Sequence, residues 1–504
     1  MLTLIIGLFV LIASLFISSN KLSVYKFPIA GFLSVLFIGI MFALFSAEMT
    51  LYEKVGWSIV TSLELIAVPL FLYFLIEEKS VPKIIALIIG TALVMFAQEL
   101  REGELVEKDL LCIVSSEHEV DLLNLDLGKA KIEKAFDPQY SEVTELDAYY
   151  SIAFHSISQA KYEAITEYLS SFKWIEDLES DDLIQGLKPQ DLDLAAVLPI
   201  EPEVQLNDPL YSKQWGMQAV NLAQAFEIID RSGFIPSKQA KVIVLDTGIK
   251  GDHEDFGSNV FTIGQNKLVD KNGHGTHCAG TIGAINNNSK GISSFNYKNA
   301  AIAVSGIQVL NDRGIGTESK IVNGIIEAVD AGADVISMSL GGLGNPLKQR
   351  AYKRAIEYAQ INNVIIVSAA GNSASNAKRY LPTAIDYVFS VSALDADLKL
   401  AKFSNSVKDV SKGLAAPGVG IISTDEQGNY KEANGTSMAA PFVSGLIALM
   451  RCIDQDLSAS EAFELLETSG TIIDSKGHSG VFIQADKAIR LTLDRSGYLV
   501  FPYF

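Results

Sequence analysis

The sequence predicts an α/β fold with a doubly wound, mostly parallel sheet, and two observations carry this prediction. First, apolar strand-like runs alternate with helical segments between residues 207 and 490. Second, a polar residue follows two of these runs, Asp246 after 240–245 and Asn372 soon after 364–369. Parallel strands that are buried on both faces are continuous apolar runs, and sites in such sheets lie at the carboxyl ends of the strands. We therefore expect a site at one edge of the sheet.

The predicted elements of this region follow one another in βα order. The apolar runs predict strands at 240–245, 300–310, 334–340, 364–369, 388–393 and 419–423. Apolar residues at helical spacing predict helices at 273–282, 318–331, 347–360 and 458–469. Ser458 and Glu461 stand three residues apart, which predicts a capping box at the start of the last of these helices.

Composition excludes several classes of function. The formal net charge of −19 argues against binding to a nucleic acid backbone. Three cysteines that lie far apart provide neither a disulfide framework nor zinc-ligand spacing. His274 and His277 are three residues apart and lack the intervening glutamate of a metalloprotease helix, so we expect no catalytic metal.

Residues 1–98 predict four transmembrane helices. Their apolar runs each have about the length that crosses a bilayer, and they are 2–18, 28–47, 55–76 and 84–98. The first run has no basic region before it and no small-residue cleavage site, unlike a signal peptide. Lysines in the first and third loops predict that both termini, and everything after residue 98, are extracytoplasmic. Glu64 in the third run is either a neutral packed side chain or a functional group, and the sequence leaves both interpretations open.

The remaining chain divides into four parts. Residues 99–185 predict a small α+β module with strands at 110–115, 146–154 and 174–178 and a helix at 158–172. Acidic residues and prolines mark 186–206 as a linker. The α/β region is 207–490, and 491–504 is an apolar C-terminal tail that either packs on the domain or touches the membrane.

Ser437 is the strongest candidate for chemistry. It lies among small residues in Gly435–Pro441, directly before an apolar helical run. The start of a helix offers unpaired backbone N–H groups and favours developing negative charge. A serine hydroxyl is a weak nucleophile and needs a base and an orienting acid. His274 and Asp246 are the candidates, although Asp246 taken alone is also typical of a turn.

Several motifs carry a resemblance to a known family. They are Asp246-Thr247-Gly248, His274-Gly275-Thr276-His277-Cys278-Ala279-Gly280, Gly435-Thr436-Ser437-Met438-Ala439-Ala440-Pro441, Ser339-Leu340-Gly341-Gly342, Ala370-Gly371-Asn372, Phe403-Ser404-Asn405 and Ala415-Ala416-Pro417-Gly418. With these motifs, residues 207–490 resemble the subtilisin-like serine peptidases, or subtilases, in which the order Asp, His, Ser along the chain is established.

This resemblance implies roles for particular residues. Ser437 would be the nucleophile, His274 the general base and acid, and Asp246 the residue that orients the imidazole. Asn372 would form an oxyanion hole with the Ser437 backbone N–H. The extended substrate would pair with Ser339, Leu340, Gly341 and Gly342, and the floor of its pocket would lie near 379–383. The chemistry needs no cofactor; the resemblance also allows structural calcium, for which the sequence assigns no ligands.

The resemblance also suggests a role for the module at 99–185. Subtilases are usually made with a propeptide that assists folding and blocks the site, and the module lies where such a propeptide would. The sequence therefore predicts a membrane-anchored serine endopeptidase that cuts itself within 186–206. Its partners would be protein or peptide substrates, the lipid bilayer through 1–98, and its own module as an internal inhibitor.

Other interpretations compete with parts of this prediction. A membrane sensor or scaffold with a peptidase-like binding domain is the alternative from another class. An intramembrane protease does not fit, because every catalytic motif lies outside the apolar runs. Cys278 is expected to be a small buried residue rather than a catalytic thiol, and Asp252–Asp255 is expected to be a solvated turn.

Overall fold

The computed structural model describes residues 105–185 and 206–498, with short gaps inside both ranges. The predicted membrane spans in 1–98, Glu64, nearly all of the linker and the last residues of the tail lie outside the described residues. Among the described residues, one helix is long and apolar enough to cross a membrane. That helix, Thr436–Ile453, is entirely buried in the protein core.

The described elements agree with the predicted order. The strands are β1 (Leu105–Val106), β2 (Asp109–Val114), β3 (Lys131–Lys134), β4 (Tyr149–Ala153), β5 (Ile157–Ser158), β6 (Ile175–Asp181), β7 (Leu183–Gln185), β8 (Ala240–Asp246), β9 (Ile302–Gln308), β10 (Ile315–Thr317), β11 (Val335–Met338), β12 (Gly342–Leu343), β13 (Ile365–Ala369), β14 (Tyr380–Leu381), β15 (Phe389–Leu394), β16 (Gly413–Pro417), β17 (Ile421–Thr424), β18 (Tyr430–Ala433) and β19 (Val481–Phe482). The helices are α1 (Glu119–Leu123), α2 (Gln159–Ser170), α3 (Trp215–Ala219), α4 (Leu222–Ser232), α5 (His274–Gly283), α6 (Glu318–Asp330), α7 (Pro346–Ile361), α8 (Thr436–Ile453), α9 (Ala459–Ser469) and α10 (Ala485–Arg495).

The chain divides into two compact units. In the smaller unit, β1 pairs with β5 in antiparallel fashion, and α2 follows β5. Tyr162 and Leu169 are the apolar residues that α2 buries, and the Tyr162 ring lies edge-on to Phe154. The helix predicted at 158–172 is confirmed.

The larger unit contains an antiparallel sheet of order β3-β4-β2-β6. Its buried side chains Phe136, Leu146 and Tyr149 belong to one apolar cluster with Ile321 and Ile325 of α6. This four-stranded sheet therefore packs on a helix of the α/β region. The strands that the sequence predicts around 110–115, 146–154 and 174–178 are all present.

The central sheet of the larger unit has the order β19-β16-β15-β13-β11-β8-β9, and every neighbouring pair in it is parallel. Along β8, Val242 and Val244 face one apolar cluster, whereas Ile243 and Leu245 face the other. A strand that is buried on both faces is the reason why the sequence shows an uninterrupted apolar run here. The predicted doubly wound parallel sheet is confirmed.

Two details differ from the prediction. The strand predicted at 419–423 exists as β17, but it pairs with β18 in a hairpin instead of joining the central sheet. The central sheet contains β16, a strand of small residues between Gly413 and Pro417 that has too little hydrophobic pattern to be recognised.

The C-terminal part follows its local signals. The predicted capping box of α9 is confirmed, because the Ser458 hydroxyl accepts from the Glu461 backbone N–H while the Glu461 carboxylate accepts from Ser458 N–H. Helix α10 continues across residue 490 to Arg495. Tyr498 then packs edge-on against Phe234, with the ring centroids 5.3 Å apart, so the described part of the tail packs on the domain.

Candidate active site

The predicted polar residues meet at one edge of the central sheet. Asp246 is the last residue of β8, and Asn372 follows the end of β13. Strand β11 lies between these two strands and is parallel to both. The carboxyl ends of the three strands therefore share an edge, as the alternation of strands and helices predicts.

Asp246 and His274 form a buried hydrogen-bonded pair. The His274 Nδ1 lies 2.8 and 2.9 Å from the two carboxylate oxygens of Asp246. Asp246 is fully buried, and His274 is 8% exposed. Gly275 makes this approach possible, because a Cβ at that position would overlap the Gly248 carbonyl oxygen. A carboxylate only accepts, so Nδ1 carries the proton and Nε2 is the acceptor of the neutral ring.

Asp270 holds the start of α5 in place. Its carboxylate accepts from the backbone N–H groups of Asn272, Gly273 and Thr276 at 2.9–3.0 Å and from the Thr276 hydroxyl at 2.7 Å. Burial by itself would lower the pKa of His274, but the charge and hydrogen bond of Asp246 and the charge of Asp270 raise this pKa above its usual value. The two carboxylates thus favour the protonated imidazole.

Ser437 lies beside this pair, in the first turn of α8. Its hydroxyl donates to the Ser339 carbonyl oxygen at 3.2 Å. The Cys278 sulfur lies 3.5 Å from the Ser437 carbonyl oxygen, and it is also within 4.8 Å of ligand atoms of both Asp246 and His274. In the part of the chain that the structure describes, His274 Nε2 is buried without a hydrogen-bond partner.

Pro441 explains an unusual contact of the Ser437 backbone. Helix α8 contains Pro441 four residues after Ser437, and proline has no N–H to donate to the Ser437 carbonyl. The Ser339 hydroxyl donates to that carbonyl instead, at 2.8 Å, and the Cys278 thiol lies against both oxygens. The missing helical hydrogen bond is therefore replaced by a bond that ties Ser437 to the segment after β11.

Asn372 and the Ser437 backbone N–H converge on the same space. The side-chain oxygen of Asn372 accepts from the Thr436 N–H and from the Thr436 hydroxyl, both at 2.9 Å. A Cβ on Gly435 would lie 3.3 Å from Asn372 Nδ2 and 3.6 Å from Ser437 N. Gly435 adds no side chain to the space beside these two nitrogens. Two N–H donors beside such a space are what an oxyanion needs.

Comparison with known proteins agrees with this geometry. The model of the subtilase family, Peptidase_S8, matches residues 237–486. Subtilisin DY of Bacillus licheniformis is 38% identical over 237 residues, which are 46% of this chain and 83% of that protein. A solved protease structure from Pseudoalteromonas arctica has a TM-score of 0.50 and 27% identity, and the match covers 57% of this chain and 100% of that one.

Thermitase of Thermoactinomyces vulgaris is 37% identical over 282 residues, which are 54% of this chain and 93% of thermitase. The chain belongs to the subtilase family. The resemblance drawn from the motifs is confirmed, and this subtilase is a serine endopeptidase.

The predicted substrate-binding residues of the subtilase follow β11. Ser339 and Leu340 are fully buried, whereas Gly341 and Gly342 are partly exposed. Gly342 and Leu343 form β12, which pairs in antiparallel fashion with β14. Tyr380 of β14 lies opposite Leu343, and a Cβ on Gly371 would be 3.9 Å from its ring. The Tyr380 ring therefore lies close to the loop that carries Asn372, and Tyr380 belongs to the 379–383 region predicted to floor the pocket.

Strand β7 of the module is paired with the α/β region of the subtilase. It runs antiparallel to β10, with Gln185 opposite Ile315 and Leu183 opposite Thr317. The turn before β10 lies against Asn272, whose side-chain amide donates to the Asp312 carbonyl at 3.1 Å. Because Asn272 is two residues before His274, β7 runs toward the site as it approaches Gln185. The sequence analysis predicts neither of these short strands.

Asp181, at the end of β6, caps a helix of the α/β region. This buried carboxylate accepts from the Ser319 N–H at 2.9 Å and from the Ser319 hydroxyl. Ser319 lies in the first turn of α6, where a negative charge is favourable. A second contact joins the Asn323 side chain of α6 to the Ala135 carbonyl at 2.7 Å.

Cys278 is a small buried residue, as the sequence predicts, and the neighbouring His277 is buried as well. The His277 Nε2 lies 3.1 Å from the carbonyl oxygens of Ile421 and Lys431, so this nitrogen carries the proton. Burial lowers the pKa of His277 to about 3, which keeps the ring neutral. Burial also raises the pKa of the Cys278 thiol, so the thiol stays protonated.

The prediction of a solvated turn at 252–255 is only half right. Asp252 and Glu254 are exposed, but His253 and Asp255 are buried. Asp255 accepts from the Ile292 N–H at 3.0 Å and from the Asn288 side chain at 2.7 Å.

The same loop carries contacts to a second buried carboxylate. Asp208 accepts from the backbone N–H groups of Asn287 and Asn288 at 3.0 and 3.2 Å. Burial raises the pKa of both Asp208 and Asp255, and the charge of Asp208 adds to the rise at Asp255. No local sequence pattern associates these two aspartates, because they are far apart in the chain.

Proposed function

We propose that this subtilase is a self-processing, membrane-anchored endopeptidase with Asp246, His274 and Ser437 as its triad and Asn372 as its oxyanion-hole side chain. The observation that carries the proposal is the convergence of Asn372 Nδ2 and Ser437 N on the space in front of Gly435. An acyl-transfer site needs such a pair of donors beside an activated nucleophile.

The reaction begins with a rotation of the Ser437 side chain. The hydroxyl exchanges its bond to the Ser339 carbonyl for one to His274 Nε2, which is the acceptor nitrogen of the neutral ring. Ser437 Oγ then attacks the substrate carbonyl carbon while its proton moves to Nε2. The negative charge of the tetrahedral intermediate lies on the former carbonyl oxygen, between Asn372 Nδ2 and Ser437 N–H.

Collapse of the intermediate breaks the peptide C–N bond. The imidazolium of His274 gives its proton to the leaving nitrogen, and an acyl ester remains on Ser437. A water molecule then attacks the ester and gives one proton to His274 Nε2. That proton returns to Ser437 Oγ as the carboxylic acid product leaves. The Asp246 carboxylate stabilises the imidazolium in each half-reaction.

Self-processing is supported by the pairing of β7 with β10. The module presents its final strand to the α/β region, and the chain direction at Gln185 points toward the side of Asn272 and His274. The linker that follows Gln185 therefore starts on the side of the α/β region that carries His274. We infer that the cut falls within the linker 186–206, and that the module at 99–185 then acts as a bound inhibitor.

Membrane anchoring rests on the sequence of residues 1–98, with its four apolar runs and the lysines of their loops. The peptidase domain at 207–490 is then extracytoplasmic, and cleavage within the linker removes its covalent link to the membrane. The test places an epitope at the C-terminus of the chain and adds a protease to intact cells. Digestion of the epitope supports this topology, whereas an epitope that is digested only after the membrane is opened overturns it.

We also propose structural calcium at Asp208 and Asp255. Two buried carboxylates that face the loop 287–292 raise one another's energy when ionised, and a divalent cation offsets this repulsion. Carboxylate oxygens are the hard ligands that calcium prefers. The ion would stabilise the fold and would take no part in the peptide chemistry.

One experiment tests the enzymatic and self-processing parts together. Wild type and Ser437→Ala, each tagged at the C-terminus, are immunoblotted after separation of membrane and soluble fractions. We expect wild type to give a fragment of about 30 kDa, from roughly 110 Da per residue over the chain after the linker, and Ser437→Ala to stay full length in the membrane.

A fluorophosphonate probe then separates an enzyme from a scaffold. Labelling that Ser437→Ala abolishes supports the enzyme. A folded wild-type chain that takes up no probe, and stays full length, overturns the proposal in favour of a tethered binding protein.

A further inference from the structure

An ion pair between Glu426 and Lys431 lies against the residue that precedes the catalytic histidine. Lys431 Nζ is 2.9 Å from Glu426 Oε2. A Cβ on Gly273 would overlap the Glu426 carboxylate and would lie 2.6 Å from Lys431 Nζ. Both charged groups therefore touch the backbone directly before His274.

The hairpin that carries this pair is fixed along α5. The Lys431 carbonyl accepts from His277 Nε2, and the Thr424 hydroxyl donates to the Thr276 carbonyl at 2.8 Å. The Ser423 hydroxyl donates to the His277 carbonyl at 2.7 Å. Because backbone and side chains of β17 and β18 are bonded to α5, the ion pair has a defined position relative to His274.

The pair is only partly accessible to solvent. The side chains of Lys431 and Glu426 are 37% and 24% exposed, so their interaction with a buried imidazole is screened less than that of a free surface charge. The two charges are of opposite sign and both contact Gly273, so their effects on His274 oppose one another. Removal of either one leaves the other uncompensated.

We propose that the Glu426–Lys431 pair is a positioning element for the catalytic base, which holds the loop before His274 and sets the lower pH limit of peptidase activity. The proposal rests on His274 acting as the base, as proposed above. Neither residue touches the reacting atoms, so both act through His274.

Other charged groups that face His274 set the background for this effect. They are Asp246 from β8, Asp270 from the loop before α5, His277 and Cys278 from α5 itself, and Glu426 and Lys431 from the hairpin. His277 and Cys278 are neutral at the working pH because burial lowers the pKa of the first and raises that of the second. Lys431 acts against the two aspartates, since its charge lowers the pKa of His274.

The test measures the rate of fluorophosphonate labelling of Ser437 against pH for wild type, Lys431→Gln, Glu426→Gln and the double variant. Without Lys431 the imidazolium is stabilised, so the acidic limb of the profile should move up by about half a pH unit. Without Glu426 the free ammonium destabilises it, and the limb should move down by a similar amount. The acidic limb of the double variant should lie at a pH close to that of wild type.

The Asp397–Lys399 pair provides a matched control. It is a similar ion pair, at 3.0 Å, on an exposed loop of the same domain. Lys399→Gln and Asp397→Asn make the same changes in net charge and should leave the acidic limb in place. In about 1 M salt the shifts of the Lys431 and Glu426 variants should shrink, because screening is then strong.

Shifts in the same direction for both single variants, or shifts no larger than those of the controls, overturn the proposal. If wild type is not labelled at any pH, the proposed function itself fails. Histidine NMR of the Ser437→Ala chain then gives an independent readout, because it follows the titration of His274 without catalysis. Equal His274 titration midpoints in the Lys431→Gln and Glu426→Gln backgrounds refute the electrostatic role.

Discussion

Thr436 donates two hydrogen bonds to the side-chain oxygen of Asn372, one from its backbone N–H and one from its hydroxyl, both at 2.9 Å. The residue before the proposed nucleophile Ser437 thus fixes the amide of the proposed oxyanion hole. The Thr436 hydroxyl also accepts from the Gly371 N–H at 3.1 Å, so one side chain aligns both the amide and its loop.

Asn372→Leu should lower kcat by about 10²–10³ and change KM little, because it removes a donor that acts in the transition state. Thr436→Val keeps the backbone donor but loses both bonds of the hydroxyl, the one to Asn372 and the one from the Gly371 N–H. The bond to Asn372, at about 1 kcal/mol, acts on the amide directly, so we expect a roughly five- to tenfold loss of kcat. Steady-state hydrolysis of a peptide substrate measures both, with Asn362→Ala as a control away from the site. If Thr436→Val lowers kcat as much as Asn372→Leu does, the expected ranking of the two substitutions is wrong.

Asp181→Ala should loosen the module from the peptidase. The substitution removes a buried cap of α6, which typically contributes about 1–2 kcal/mol, so about tenfold less module should remain after processing in a pull-down through a C-terminal tag. Ser319→Ala should act in the same direction. Arg350→Gln breaks only the partly exposed pair with Asp177, at 3.0 Å, and should have little effect. Equal retention in all four proteins would exclude the cap as a holding contact.

His277 should make the fold sensitive to acid. Its pKa is about 3 in the folded protein, against an ordinary value of 6.5. Between these values the unfolded chain binds a proton that the folded chain does not, so stability falls as pH drops through this range, by about 1.4 kcal/mol per unit. Unfolding of the Ser437→Ala chain by denaturant at several pH values measures this slope. In His277→Gln, the number of protons taken up on unfolding should fall by one. If the slope of the free energy of unfolding against pH is the same as in the parent chain, other groups are responsible.

Local motifs point to the residues of the proposed triad, whereas contacts between distant segments could not be predicted. Ser437, His274 and Asp246 each stand in a short motif at an element end, and the alternation of strands and helices gathers those ends. The pairing of β7 with β10 joins strands of three residues each that are far apart in the chain. No local pattern marks either strand, since so few residues show no periodicity.

The role of Ser339 shows the same limit. Its motif predicts a substrate-binding strand, but its hydroxyl also replaces the helical bond that Pro441 cannot make to the Ser437 carbonyl. Proline inside a predicted helix signals an unpaired carbonyl. Which side chain satisfies that carbonyl depends on how β11 and α8 pack, and no short stretch of sequence contains this information.

Calcium should stabilise the Ser437→Ala chain in a manner that depends on Asp208 and Asp255. A ligand at about 100 times its Kd adds about 2.7 kcal/mol to the free energy of unfolding, which corresponds to a rise of about 5–10 °C in Tm. Thermal scans with calcium and with a chelator should differ by this amount, and Asp208→Asn or Asp255→Asn should abolish the difference. Asp474→Asn, on an exposed loop, should keep it. A Tm that calcium and chelator leave unchanged would reject the site.

Tyr380 should restrict the side chain that precedes the cut. Tyr380 lies on β14, which pairs with β12, and a Cβ on Gly371 would be 3.9 Å from its ring, so the ring is close to the proposed substrate-binding segment and the Asn372 loop. Tyr380→Gly opens space beside this segment, so kcat/KM for a substrate with phenylalanine before the cut should rise about 10–100-fold relative to one with alanine. Tyr380→Phe retains the ring and should keep the wild-type ratio. A series of peptide substrates that differ only at this residue measures the preference, and an equal ratio in Tyr380→Gly and wild type would mean that another residue limits the pocket.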